Sequence, residues 1–413
     1  MIINRYRFFA RDKAWSRVSG FSVIIFFVFL GDAILSYWVP NLLERSLGNP
    51  LKMGLVLSFS SIIGFGADLV LPQLMRGLGV AKLLSVGIVV SLLFSVLLIL
   101  SIPYPVLVIF IASMAVWGFY YEFLGFASHQ FVADSVPLKL RSSSWAFISV
   151  FKNLSYFLGP IIGGLLIFRS EYFPPLAAIL FTLTGWLILL LIGSRRRQAM
   201  DVNIKEINLK DEVEHWWTLS KSVWPALVMS LMIGLIDAFF WSVGAVWTEK
   251  LAEQNILGGF FLPFYTLPSL FMGFVVVRMG IYKGKKRVAS EFLFVAGVFL
   301  AFLGFSGNAF WQLAIVFISS MMLAVVYPML DAVYSDIVAR MGREKKHLIG
   351  LINAVISVSY IIGPALAGFL SNSLGEMMTF TAIGIATAVV SGILIFVTPK
   401  KLLLPQAEIQ DWE

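Results

Sequence analysis

Acidic residues occur inside long apolar stretches of this sequence, where charged side chains are otherwise rare. Asp32, Glu122 and Asp237 lie near the middle of three such stretches. A charged side chain at the centre of a membrane costs at least about 2.5–3.5 kcal/mol, so an ionisable residue at this depth marks a functional site by default. Proton coupling requires a carboxyl group that gains and loses a proton near neutral pH, which burial promotes. We therefore predict that these three residues couple proton movement to the activity, with a structural role as the alternative for Asp32 and Asp237.

A second pattern places small and polar residues on one face of a helix. Gly118, Glu122, Gly125 and His129 are spaced at i, i+4, i+7 and i+11. Such a stripe among large apolar residues faces other helices or water rather than lipid. In the next apolar stretch, Lys152 either neutralises an acid such as Glu122 or contacts a substrate. The candidate cavity-lining residues are Tyr37, Tyr121, His129, Lys152, Tyr156, Trp241, Tyr265, Asp331 and Tyr360.

Common catalytic motifs are missing from the sequence. There is no Gly-x-Ser-x-Gly, His-Glu-x-x-His or Gly-x4-Gly-Lys pattern. The chain has no cysteine and three histidines, and two of these, His215 and His347, fall in predicted loops. We therefore expect no enzyme activity, no metal site and no cofactor.

The elements that position these residues are predicted to be membrane spans. The chain is 59% hydrophobic and 13% charged, whereas a soluble protein carries about 25% charged residues. A spanning helix needs about 20 predominantly apolar residues. Twelve segments meet this requirement, and we expect Pro263 and Pro268 to kink or partly unwind the eighth. The segments are 18–43, 52–75, 82–102, 105–133, 144–168, 174–194, 222–248, 257–279, 288–306, 309–335, 348–371 and 375–398.

The basic residues indicate how the spans are oriented. Lysines and arginines lie on the same side as the N-terminus, except for Arg45, Lys52, Lys152, Arg169 and Lys250. Because basic residues accumulate on the cytoplasmic side of membranes, we predict a multi-pass protein of the cell (inner) membrane with both termini in the cytoplasm. The net charge of +8 then reflects topology, and no nucleic acid partner is expected.

The second half of the sequence repeats the first. Asp32 recurs as Asp237 at an offset of 205. A half-length repeat in apolar sequence predicts two six-helix bundles related by an axis along the membrane normal. The bundles are 1–194 and 222–413, joined by a cytoplasmic linker, 195–221. The candidate gating or structural residues are Asp68, Arg76, Gly79, Asp134, Arg141, Gly159, Pro160, Gly163, Gly164, Arg278, Asp336, Arg343, Gly363 and Pro364.

Over nearly its whole length the chain resembles the major facilitator superfamily of secondary transporters. The resemblance rests on the twelve segments, the duplication, the central linker and the Asp-x6-Arg loops at 134–141 and 336–343. The loop after the second segment keeps Arg76, Gly79 and Lys82 of the superfamily signature but lacks its acid. The GPIIGG sequence at 159–164 is similar to the signature of proton-linked exporters. The resemblance implies an all-α membrane protein with twelve transmembrane helices in two pseudo-symmetric bundles that work by alternating access.

These features together favour proton-coupled export of an amphipathic or cationic small molecule. The expected partners are that substrate, protons and membrane lipid, and the protein is expected to be a monomer. Three alternatives stay open at this point. They are an uptake symporter for a small polar solute such as a sugar, peptide or anion, a lipid or glycolipid flippase, and a membrane sensor that does not transport.

Overall fold

The apolar stretches of the sequence fold as helices. A computed structural model describes residues 13–74, 78–137, 140–192, 209–279, 284–338, 340–341, 345–399 and 404, and every regular element among them is helical. A helix satisfies all of its backbone hydrogen bonds within one segment, which is what an apolar surrounding requires. The predicted all-α membrane fold class is therefore confirmed.

Within the described residues, the first half contains six helices and the second half six helical segments. In the first half they are α1 (Lys13–Leu47), α2 (Pro50–Leu74), α3 (Val80–Ser101), α4 (Leu107–Ser135), α5 (Arg141–Ile167) and α6 (Phe173–Ile192). Segment α7 comprises Leu209–Phe239, a π turn at Phe240–Gly244 and a final helical part, Ala245–Gln254. The last four are α9 (Lys285–Ala301, followed by a 3-10 turn at Leu303–Phe305), α10 (Ala309–Val338), α11 (Lys345–Leu374) and α12 (Glu376–Val397).

The eighth segment is interrupted where its prolines fall. It consists of a 3-10 turn at Ile256–Phe260, a short helix at Phe261–Thr266, a second 3-10 turn at Leu267–Leu270 and a helix at Met272–Met279, together called α8. Proline has no backbone N–H to donate and disrupts the preceding turn, so the expected unwinding at Pro263 and Pro268 is confirmed. Among the described residues, eleven other helices are long and apolar enough to span a membrane.

The helix α7 begins well before its apolar span. The sequence assigns 195–221 to a linker, yet the structure is helical from Leu209 onwards. This part contains no proline or glycine before Pro225, so nothing in its sequence stops the helix from extending backwards from the span. Residues 193–208 of the predicted linker lie outside the described residues.

The chain divides into two compact units with the same internal helix pairing. One unit comprises Met1–Gly48 with Phe59–Asn203, and the other comprises Asn49–Ser58 with Ile204–Glu413. In the first unit α1 packs on α5, and α3 packs on α4 and α6. In the second unit α7 packs on α11, and α9 packs on α10 and α12. The sequence repeat is thus also a repeat of packing.

The pairs α1–α5 and α7–α11 make their closest approach at repeated glycines. A Cβ atom added at Gly159 would lie against Cβ of Ala33 and 2.7 Å from its carbonyl carbon. A Cβ added at Gly363 would lie 2.5 Å from Cβ of Ala238. Both distances are shorter than carbon atoms tolerate, so only glycine permits these helices to approach so closely.

A serine at the same interface also recurs. Ser155 Oγ on α5 donates to the carbonyl of Phe26 on α1 at 2.8 Å. In the second unit, Ser359 Oγ on α11 donates to the carbonyl of Leu231 on α7 at 3.3 Å. Each serine lies one turn before its glycine, so one interhelical hydrogen bond accompanies each close contact.

We expect Gly159→Ala to destabilise the first unit. The methyl group of alanine must displace the backbone of α1. Overpacking of this kind typically lowers the free energy of unfolding by about 1–3 kcal/mol. The midpoint of thermal unfolding, measured by intrinsic tryptophan fluorescence in detergent, should fall. Gly66→Ala is the matched control, because an added Cβ there meets nothing described within 4 Å. Equal midpoints for the two variants would contradict the packing argument.

Candidate functional site

Asp32 lies in the interior of the first unit, where three aromatic side chains donate to it. The residue is 1% exposed. Its Oδ1 accepts from Trp117 Nε1 at 2.9 Å, and its Oδ2 accepts from the hydroxyls of Tyr121 at 2.8 Å and Tyr156 at 3.0 Å. The donors come from α4 and α5, so one carboxylate on α1 connects three helices. Its hydrogen bonds offset much of the cost of burying the charge.

Lys152 lies beside this cluster. Its Nζ is 4.7 Å from the ring centre of Phe29 and 5.8 Å from that of Tyr156. The ammonium group also interacts electrostatically with Asp32. Aromatic faces attract cations, so the rings of Phe29 and Tyr156 stabilise the ammonium group in this position. Lys152 lies one helical turn before Tyr156 on α5. The acid near Lys152 is therefore Asp32, and both roles predicted for the lysine stay predictions.

Asp237 has a similar environment in the second unit. Its Oδ1 accepts from the hydroxyl of Tyr265 on α8 at 2.5 Å, and its Oδ2 accepts from the hydroxyl of Tyr360 on α11. The ring of Tyr265 stacks on that of Phe240, with centroids 3.9 Å apart and planes 10° apart. This carboxylate on α7 therefore also connects three helical segments.

Each aspartate is followed by a position where one regular α-helical hydrogen bond is missing. In α1, which continues as a helix to Leu47, Pro40 has no N–H to donate. In α7 a π turn begins at Phe240 and includes Trp241. Single π turns inside α-helices occur often at functional sites. Both positions lie within eight residues after the aspartate of their helix.

Glu122 belongs to a different arrangement, a pair of carboxyl groups. Its side chain on α4 interacts electrostatically with that of Asp68 on α2. Two neighbouring carboxylates repel each other, and a proton on either of them removes this repulsion. Helices α2 and α4 approach closely here because residue 64 is glycine: a Cβ atom added at Gly64 would lie 3.2 Å from Glu122 Oε1. The structure therefore places Asp68 beside Glu122.

The remaining predicted cavity residues are dispersed. Tyr37 is buried against Gly163 and Gly164, where it fills the α1–α5 interface. His129 packs on Trp145, with ring centroids 4.8 Å apart. Asp331 lies on an exposed face of α10. The structure thus gathers the tyrosines at positions 121, 156, 265 and 360 around the two aspartates, with Lys152 near the first of them.

The structure describes contacts for one residue of each repeated Asp-x6-Arg loop. Arg141 donates to the carbonyls of Ala133 at 2.7 Å and Val136 at 3.3 Å, which secures the end of α4. In the second unit, Asp336 pairs with Lys285 at 2.6 Å. Most of the other predicted gating or structural residues lie at helix ends or inside helices. Asp134 lies in the last turn of α4, Gly79 precedes α3, and Arg278 lies in the last turn of α8. Pro160 lies inside α5 and Pro364 inside α11, whereas Arg76 and Arg343 lie outside the described residues.

Sequence reasoning missed two features of these units. Trp117 contacts Asp32, and the signal for it is its position one helical turn before Tyr121 on the same face of α4. The placement of His215 and His347 in loops is wrong, because they lie in α7 and α11. Together with Glu212 they form a cluster whose possible ligand atoms are all within 4.8 Å of one another.

Comparison with known proteins relates the whole chain to membrane transporters. The sequence model described as Major Facilitator Superfamily matches residues 21–343 and 252–411. Curated protein sequences give no match.

Among solved structures, the human organic anion transporter MFSD10 (TETRAN) is similar at 15% identity and a TM-score of 0.65, covering 93% of this chain and 100% of that one. A peptide transporter POT in complex with sulfate is similar at 14% identity and a TM-score of 0.72, covering 93% of this chain and 94% of that one. A bacterial homologue of the human lysosomal transporter Spinster, inward-facing and unoccupied, is similar at 12% identity and a TM-score of 0.65, covering 93% of this chain and 96% of that one. These likenesses concern the fold.

We expect Tyr121→Phe and Tyr156→Phe each to destabilise the first unit. Each change removes one donor to the Asp32 carboxylate, and a hydrogen bond to a charged group contributes about 1.5–3 kcal/mol. Because both donors serve one carboxylate, their effects should not be additive. Denaturant titration in mixed micelles measures the decrease in the free energy of unfolding. The control is Tyr104→Phe, at a tyrosine 65% exposed, and a change as large there would contradict the assignment.

Proposed function

Because the chain belongs to the Major Facilitator Superfamily of transporters, we propose that it exports an amphipathic or cationic small molecule in exchange for protons. It works by alternating access, in which structural repeats expose a central site to each side of the membrane in turn. We further propose that it is a monomeric protein of the cell (inner) membrane with both termini in the cytoplasm, as its basic residues indicate.

The observation that supports proton coupling is the proximity of Glu122 to Asp68, whose carboxyl groups interact electrostatically. Two neighbouring carboxyl groups on apolar spans favour binding one proton, because the proton removes the repulsion between two like charges. Asp32 and Asp237 differ, because their oxygens already accept hydrogen bonds from neighbouring side chains.

The side chains around the buried acids support an amphipathic or cationic substrate. Acidic residues on the spans of the first unit include Asp32, Asp68 and Glu122, with Lys152 as a basic neighbour of Asp32. Aromatic rings such as Tyr121 and Tyr156 adjoin the carboxylate. Rings bind both apolar groups and cations through their faces, and an excess of acids favours positive charge.

The alternatives predict different outcomes in one reconstituted system. An uptake symporter for a sugar, peptide or anion accumulates its substrate when protons flow in the same direction. A flippase moves a fluorescent lipid between leaflets, and a sensor moves none of these compounds. Purified protein in liposomes, tested with each compound class under both directions of the pH gradient, separates the alternatives from export.

We expect Glu122→Gln to abolish proton-driven transport while substrate exchange without a gradient continues. Glutamine keeps the size of the side chain but cannot release a proton. Flux driven by a pH gradient should fall at least tenfold, and counterflow of labelled substrate should persist. The experiment uses proteoliposomes with a pH-sensitive dye inside.

The control for this change is Glu171→Gln, at a loop acid that pairs with Arg45 at 3.2 Å. It should transport as the unmodified protein does. Normal proton-driven flux in both Glu122→Gln and Asp68→Asn would remove the carboxyl pair from the coupling mechanism. Loss of counterflow together with coupled flux would instead assign Glu122 to substrate binding or folding.

A further inference from the structure

Three side chains that sequence reasoning placed apart meet at the beginnings of α7 and α11. Glu212 and His215 lie one turn apart on α7, and His347 lies in the first turn of α11. His347 Nδ1 is 2.7 Å from Glu212 Oε2, and the ring centroids of His215 and His347 are 4.5 Å apart. All three residues belong to the second unit. They lie outside the carboxyl sites described above.

We propose that Glu212, His215 and His347 bind one divalent transition metal ion, with Zn²⁺ as the best match. Two imidazoles and one carboxylate are a known zinc donor set, with water or another ligand completing four-coordination. Nitrogen donors favour transition metals over Mg²⁺ and Ca²⁺, which prefer oxygen. The chain has no cysteine, so these donors supply the site without sulfur.

The geometry is close to what such an ion requires. Bonds of about 2.0–2.2 Å place tetrahedral zinc ligands roughly 3.3–3.6 Å apart, and the three possible ligand atoms already lie within 4.8 Å of one another. These separations exceed the tetrahedral spacing by at most about 1.5 Å, which rotation of the side chains has to close.

The surroundings of the cluster fix it in position. The His347 side chain is 7% exposed and that of Glu212 is 20% exposed, so the donors are partly shielded from water. Trp216 Nε1 donates to Glu212 Oε1 at 2.9 Å, and such hydrogen bonds orient carboxylate ligands in metal sites. The same indole packs against Gly350 of α11, where an added Cβ would lie 3.1 Å from it. Tryptophan thus supports the carboxylate and joins the two helices.

A bound ion would join α7 to α11 at their first turns. These are also the helices that Asp237 and Tyr360 connect within the apolar span. The proposal does not depend on transport, because the site consists of different residues and is measured by binding alone.

The test is zinc binding to the full-length protein, purified in detergent without a polyhistidine tag and stripped of metal with a chelator that is then removed. Isothermal titration with ZnCl₂ should give one saturable site. Glu212→Gln, His215→Gln and His347→Gln should each weaken binding at least tenfold, since each removes a ligand. Glu214→Gln, at an exposed acid on the same turn, and His129→Gln, at the remaining histidine, should bind as the unmodified protein does.

Cobalt provides a second measurement that needs no variant. Co²⁺ in a four-coordinate nitrogen and oxygen site shows intense visible bands, whereas the hydrated six-coordinate ion shows weak ones. Intense bands that zinc removes in equimolar amount support the site, even if a ligand variant loses its helical circular dichroism. Absence of saturable zinc binding, only weak cobalt bands, or wild-type affinity in the three ligand variants would overturn the proposal.

Discussion

A carboxylate packed among apolar helices needs hydrogen bonds from the protein, and both units contain such an acid. An unpaired charge away from water is costly. Asp32 accepts from three aromatic donors on two neighbouring helices, and Asp237 accepts from tyrosines on two others. Each acid therefore determines which helices lie next to its own. The carboxylates fix the orientation of the aromatic side chains, and the hydrogen bonds from these side chains stabilise the carboxylates.

Close helix packing is the second requirement, because a hydroxyl reaches the carboxylate only if the helices approach closely. Gly159 on α5 and Gly363 on α11 permit this approach one turn after Tyr156 and Tyr360. Tyrosine, serine and glycine thus act together within each half. The offset of 204 between the two copies of this set shows that the duplicated unit includes the donor to the acid. The other donors differ between the halves, as Trp117 and Tyr265 lie on non-equivalent helices.

The sequence predicts the helices well and their contacts only in part. Apolar length identifies the spans, and Pro263 and Pro268 indicate the interruption of α8, because both effects are local. The repeat predicts that Asp32 and Asp237 are equivalent. It does not by itself identify Trp117, because a position one turn before Tyr121 fits a packing residue as well as a hydrogen-bond donor. The cluster of Glu212 and His347 was missed for a related reason, because it joins residues far apart in sequence and depends on where α7 begins.

The two kinds of acid on the spans are suited to different tasks under the proposed proton-coupled transport. Protonating Asp32 would weaken its three hydrogen bonds at once, so the change in charge would be opposed by the packing of α1, α4 and α5. Glu122 and Asp68 instead interact with each other, so a proton on either would change one contact between α2 and α4. A proton that moves during a transport cycle must bind where the free energy of the two states is similar. Two neighbouring carboxyl groups satisfy this condition better than a carboxylate that accepts several hydrogen bonds. On this proposal, Asp32 and Asp237 keep their helices in register, and Glu122 and Asp68 exchange the proton.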